Sequence, residues 1–154
     1  MDISDIPAVF TTIRLVVEGN AKAQPRVRAF AQAGKARMYD PGTADDWKQK
    51  IAAEAYKNRP DKLVTGPVLV QMAIYLPRPK RLCRKKDPDH AIRHTVKPDG
   101  DNLEKAVLDA LKGVIWADDK QIWACQWKKY YAAKGERPHI RVAIQFPTED
   151  GEES

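Results

Sequence analysis

Hydrophobic and polar residues alternate along FTTIRLVVEG, where Ile13, Leu15 and Val17 interleave with Arg14, Val16 and Glu18. A period of two marks a half-buried strand. The next stretch, NAKAQPRVRAFAQAGKARMYDPG, mixes Gly, Pro and basic residues without a period, which suits a loop with room for a short hairpin. Thr43 followed by Asp46 has the spacing of a capping box, with Asp where Glu or Gln is usual. Trp47, Ile51 and Ala55 then recur at i, i+4 and i+8, so a helix is expected from about Ala44 to Lys57.

NRPDKLVTGP breaks that helix, and VLVQMAIYL places Val68, Val70, Met72, Ile74 and Leu76 on one face of a second strand. Leu69, Ala73 and Tyr75 on its other face are also largely apolar, as befits a strand in the middle of a sheet. Pro77, Pro79 and Pro88, with no steady period around them, predict a long exposed loop from Arg78 to Lys97. A second helix follows, capped by Asp101 or Asn102, with Leu103, Val107, Ala110 and Leu111 as its apolar stripe and Gly113 at its end. QIWACQWKKYYA reads as a strand with Trp123, Cys125, Trp127 and Tyr131 on one side, KGERP as a turn, and HIRVAIQF as a last strand. This order of elements predicts an α+β fold, a mixed, partly antiparallel sheet of about four strands with two main helices packed on one face. Residues 1–147 are expected to form one domain, and TEDGEES, residues 148–154, an acidic disordered tail.

Composition narrows the setting. A chain of 154 residues, 43% hydrophobic and 31% charged, can bury a core without disulfides. Cys83 and Cys125 lie far apart with no CxxC, so neither a disulfide framework nor a zinc ribbon is expected, and a reducing, cytoplasmic location fits. MDISDIPAVF has no apolar run long enough for a signal peptide or a membrane span. Net charge is +6, and the tail holds four of the negative charges, so the body alone carries +10. Eight Lys or Arg against two Asp fall between Arg78 and Lys97. Such clustering favours a polyanionic partner.

Against that basic background stands KPDGDNLEKAVLDALKGVIWADDKQI, residues 97–122, with Asp99, Asp101, Asp118 and Asp119 close to the ends of the second helix. If the entry to the helix is extended, Asp99 and Asp101 point the same way, and two adjacent carboxylates need a counter-charge. Magnesium, which takes one or two carboxylates together with water and phosphate oxygens, satisfies that need. Asp118 and Asp119 are placed to complete the site, and Lys105, one turn beyond Asp101, to reach a phosphate. Spacing alone equally allows Asp101 as a plain cap, Lys105 with Asp109 as a surface pair and Asp118-Asp119 as a solvated turn.

The same run resembles the core of the RusA family of Holliday junction resolvases. That core has a DxDN, a helix carrying Lys and then DAL, a Gly, a Trp or similar apolar residue, and DD-x-Q-[IV]; here these are DGDN, Lys105, DAL, Gly113, Trp116 and DDKQI. The layout of an early strand, a Pro/Arg-rich segment (QPRVR) and YDP before a helix also fits. The resemblance implies a RusA-like fold with Asp99, Asp101 and Asp119 as essential acids and Lys105 as the essential lysine. Asp118 either shapes the turn or contacts metal through water, and Asn102 and Asp109 have supporting places. It further implies a homodimeric endonuclease dependent on Mg²⁺, with Mn²⁺ able to substitute, that nicks opposite strands of a four-way DNA junction in recombination and repair. No nucleotide cofactor is expected, and the location becomes cytoplasmic and nucleoid-associated.

Arg26, Arg28, Lys80, Arg81, Arg84, Lys85 and Lys86 are the residues expected to contact DNA phosphates. Trp116, Trp123, Trp127 and Tyr131 are expected in the core or at a dimer interface rather than stacked on bases. His90 and His94 are spaced i, i+4 near Cys83 but lack further ligands, so zinc is not expected; they are read as lying in the DNA-facing loop or simply exposed. Two rival readings share these features: the same chemistry on other branched DNA or RNA, and a nucleic-acid binder without catalysis. A pure binder has no use for carboxylates set against phosphate.

Overall fold

The computed structural model describes residues 9–25, 28–32, 35–39 and 44–148, without the side chains of the hairpin residues 28–39. Strand β1 (Phe10–Glu18) runs along one edge of the main sheet, and the hairpin strands β2 (Arg28–Gln32) and β3 (Lys35–Tyr39) pair only with each other. Helix α1 (Asp45–Lys57), strand β4 (Val68–Leu76), the two-residue strand β5 (Ile92–Arg93) and helix α2 (Gly100–Leu111) follow, and β6 (Ile122–Tyr131) and β7 (His139–Pro147) close the fold. Four long strands were expected; the main sheet has these four and gains β5 as a fifth, in the order β1-β7-β4-β6-β5. β4 is central, parallel to β6 and antiparallel to β7. The fold is thus α+β with a mixed sheet.

Register explains the core. Leu15 pairs with Val142 and Val17 with Ile140, while Val70, Met72 and Ile74 of β4 face Ile144, Val142 and Ile140 of β7. One face of the sheet is therefore a continuous apolar layer. Trp47, Ile51 and Ala55 of α1 and Leu103, Ala106, Val107, Ala110 and Leu111 of α2 pack on that layer, as their helical spacing requires. Lys48 of α1 clamps Asp109 of α2 at 3.0 Å, so Asp109 pairs across the helices and not with Lys105.

Several local expectations shift. The N-cap of α1 is Ala44, with no side-chain cap, instead of Thr43. The N-cap of α2 is Asp99, so the helix begins earlier than a cap at Asp101 or Asn102 allows. Gly19, at φ 140°, turns the chain out of β1 where any side chain would press on Trp47 and Lys50. The Arg78–Lys97 segment is exposed but not loose. Arg78 donates to the carbonyls of Leu82, Pro88 and His90, and Lys134 donates to those of Arg84 and Asp87.

His94 corrects the reading of an exposed loop histidine: it is buried, its ring tilted against Tyr131 with centroids 4.4 Å apart. His90 is exposed. Trp116 and Tyr131 are core residues. Trp123 is not, being 67% exposed. It falls where the β4-β6 register slips by one residue, which puts it out of step with the stripe. Thr148, expected to open the tail, still hydrogen-bonds Val9 and Thr11; residues 149–154 lie outside the described residues.

Candidate active site

The start of α2 is built by its neighbours on β6. Trp127 of β6 lies directly on Gly100, where a Cβ would collide with the indole. Lys129, also on β6, donates to the carbonyls of Val96 (2.6 Å) and Pro98 (2.7 Å). The ammonium thereby holds the chain as it enters the helix. Asp99 is the N-cap, in extended backbone geometry, yet its carboxylate makes no capping bond. A cap aspartate ordinarily accepts a backbone N–H from the first turn, so this one is left available. Asp101, in the first turn, accepts only the adjacent Asn102 N–H, at 3.1 Å, among the described residues.

Asp99 and Asp101 both line an open cavity of about 580 Å³, together with His94, Lys97, Trp127 and Lys129. Their meeting does not come from an extended DxD, because Asp101 is already helical. It comes from the bend at which strand-like backbone turns into helix. Burial first, and then the neighbouring Lys129, push the His94 pKa below its usual value, so its ring is held neutral. Gln24 donates its backbone N–H to the Asn102 carbonyl at 2.9 Å, which docks the segment leading to Arg26 and Arg28 on the first turn of α2.

Asp118 and Asp119 occupy the turn between α2 and β6. Asp118 accepts the Lys120 N–H at 3.0 Å and forms a reciprocal capping box with Gln121. That backbone bond, aided by Lys120 and Lys112, lowers the Asp118 pKa despite some desolvation. Shaping the turn is therefore what Asp118 does here. Asp119 accepts the indole N–H of the buried Trp116 at 2.9 Å through one oxygen. Gln121 accepts from the N–H groups of Ala117 and Asp118 and donates to the carbonyls of Val64 and Gly66, stapling the turn to the strand that leads into β4.

The acids thus fall into two pairs. Among the described residues no three carboxylates, imidazoles or thiols stand together as a metal cage, and Asp118 and Asp119 do not line the Asp99-Asp101 cavity. None of the four carboxylates is in an ion pair among the described residues. The exposed pair Asp99 and Asp101 still fits Mg²⁺, which needs one or two carboxylates and takes its remaining oxygens from water and phosphate. Burial, with the Glu104 carboxylate beside it, pushes the Cys125 pKa up to about 12, so the free thiol is a poor nucleophile. Lys105 is exposed on α2. Lys80, Arg81, Arg84, Lys85 and Lys86 are exposed on the braced segment. Arg26 and the side chain of Arg28 lie outside the described residues.

Comparison with known proteins places this geometry. The family model described as Endodeoxyribonuclease RusA matches residues 18–145. The chain belongs to the RusA family of endodeoxyribonucleases. It is thereby a nuclease of DNA. It is also 37% identical over 138 residues to the uncharacterized protein YqaN of Bacillus subtilis (strain 168), covering 86% of this chain and 95% of that one. The RusA match spans every element from the end of β1 into β7, including both acid pairs and Lys105.

Three contributors to this RusA site escaped the sequence reading. Gln121 had a visible signal, since Asp118-x-x-Gln121 has the capping-box spacing. Lys129 and Gly100 had none, because their partners lie across the sheet from them in the chain.

Proposed function

We propose that this protein is a Mg²⁺-dependent, structure-selective endonuclease that resolves four-way DNA junctions by paired nicks, acting as a homodimer in a cytoplasmic, nucleoid-associated setting. The observation that supports it best is the exposed Asp99-Asp101 pair at the start of α2, with neither carboxylate used to cap the helix or paired with a cation.

In this reading Asp99 and Asp101 would hold the ion, and Asp119, which lies outside their cavity with one oxygen on the Trp116 indole, would complete the acid set that the RusA family implies. When bound, Mg²⁺ polarises the scissile phosphate and activates water; Mn²⁺ offers the same chemistry. The protein's own groups do the rest. Lys129 and Trp127 hold the carboxylates in place. Lys105, one turn from Asp101, neutralises charge that gathers on the phosphate in the transition state. The exposed cations from Lys80 to Lys86, with Arg26 and Arg28, grip the backbone of the junction arms. Two copies facing opposite strands turn single nicks into a paired cut.

The test is cleavage of an end-labelled four-way junction and its matched linear duplex, in Mg²⁺ or EDTA, by wild type and Asp101→Asn. The expected result is symmetric Mg²⁺-dependent nicks confined to the junction and absent from the variant, which still binds DNA as tightly or more tightly. Equal cutting of both DNAs overturns the junction selectivity, and binding by wild type without cutting in Mg²⁺ overturns the catalytic reading.

A further inference from the structure

Among the described residues, nothing covers the face of the sheet away from the helices, and register maps its residues. Arg14, Ala143, Gln71 and Gln126 lie in one row across β1, β7, β4 and β6, and Val16, Arg141, Ala73 and Lys128 in the next. The centre of the face is thus made of small residues flanked by cations and carboxamides. A shallow hollow of about 410 Å³ results, lined by Arg14, Lys128 and Arg141 and by no acidic side chain. The three cations make no ion pair among the described residues. Arg141 has a single long bond, from Nε to Nε2 of His139, at 3.4 Å. Glu18, the acid on this face two residues beyond Val16, is occupied by Arg137.

A solvated antiparallel face ordinarily mixes both signs of charge. This one presents three positive groups with nothing to neutralise them, around a floor low enough for a close approach. Lys128 and Arg141 sit on the strands either side of β4, roughly 10 Å apart at the backbone, and Arg14 lies beyond Arg141. Such an array matches a row of phosphates better than a small anion. The face also adjoins the candidate active site. Lys128 is flanked in sequence by Trp127 and Lys129, which point the opposite way and line the Asp99-Asp101 cavity. Only the thickness of β6 divides them, and from Ile122 to Lys128 that strand has no partner on its outer side among the described strands, the Lys129 carbonyl already accepting the His94 N–H at 3.0 Å.

We infer that the open sheet face is a second DNA-binding surface, on which Arg14, Lys128 and Arg141 hold the phosphate backbone of a duplex arm that passes over the β6 edge from the cleavage site. The inference rests on the reading of this protein as a DNA endonuclease and adds a surface that the acidic site and the Lys80–Lys86 segment do not include. Carboxamides at Gln71 and Gln126 are placed to donate to the same backbone.

The experiment is binding of a fluorescent four-way junction and a duplex across a NaCl series, using the full chain with Asp101→Asn so that DNA stays intact. Adding Arg14→Gln, Lys128→Gln and Arg141→Gln together should lower the slope of log affinity against log salt by about 2.7, and Lys128→Gln alone by about 0.9. An unchanged slope in both, with melting curves that match the parent, overturns the proposal. So does a fall from two copies to one by light scattering with the slope intact, which makes the face an interface between copies. Failure of the endonuclease reading is told apart by the wild-type chain, which in that case does not cut the junction in Mg²⁺ whatever the salt slopes show.

Discussion

Gly100 is the smallest residue at the site and among the most constrained, because the Trp127 indole occupies the space a Cβ would need. Gly100→Ala must push the indole aside or shift the first turn of α2, at a cost of about 1–3 kcal/mol. Urea unfolding should show this loss, and Trp127→Ala in the same chain should return part of it, since the two changes act on one contact. His94 makes a second prediction. Its Nδ1 is buried without a partner among the described residues, and its pKa lies below the ordinary 6.5 because of burial and Lys129. The unfolded chain therefore binds the proton more readily than the folded one, so this contribution to stability is present above pH 6.5 and is lost as pH falls through the lower folded value. Unfolding free energy measured across that range should decline on acidification, and His94→Phe should flatten its share of the decline.

At the scale of elements, the two acid pairs are set by different devices. Asp99 and Asp101 depend on a strand, β6, whose Lys129 and Trp127 fix the first turn of a helix that precedes it in the chain. Asp118 and Asp119 depend on the turn itself, through Gln121 and Trp116. Gln121→Leu keeps bulk but leaves the Val64 and Gly66 carbonyls and the Ala117 and Asp118 N–H groups without this partner. A loss of about 2–4 kcal/mol is expected in denaturant unfolding. Activity should fall further than stability alone accounts for, because the turn carries Asp119. Normal cutting by a folded Gln121→Leu protein would show that the turn need not be held.

Across the whole molecule, charge is segregated. The exposed carboxylates of the candidate site lie at the α2 entry, with the cations of the Lys80–Lys86 segment upstream in the chain. Bracing by Arg78 and Lys134 holds this segment in shape without any partner, so DNA binding there would order little chain. Neutralising Lys80, Arg81 and Lys85 together should reduce the salt slope of junction binding by about 0.9 for each phosphate contact removed. A slope equal to that of the parent would make those residues a solvated surface.

Alternation and helical spacing by themselves determined the four long strands, both helices and the buried face of each, because a strand or helix with one apolar face has only that face to bury. Local chemistry also marked the acids, Lys105 and the basic segment, and the run from Lys97 to Ile122 was specific enough to indicate the family. Tertiary structure decided what depends on partners distant in the chain. It set the start of α2 at Gly100 through Trp127, buried His94 against Tyr131, slipped Trp123 out of the core, paired Asp109 with Lys48, and drew Arg14, Lys128 and Arg141 from three strands into an open cationic face. Each of these is a cross-strand or cross-layer contact, and such contacts follow from register and packing, which no single stretch of the chain encodes.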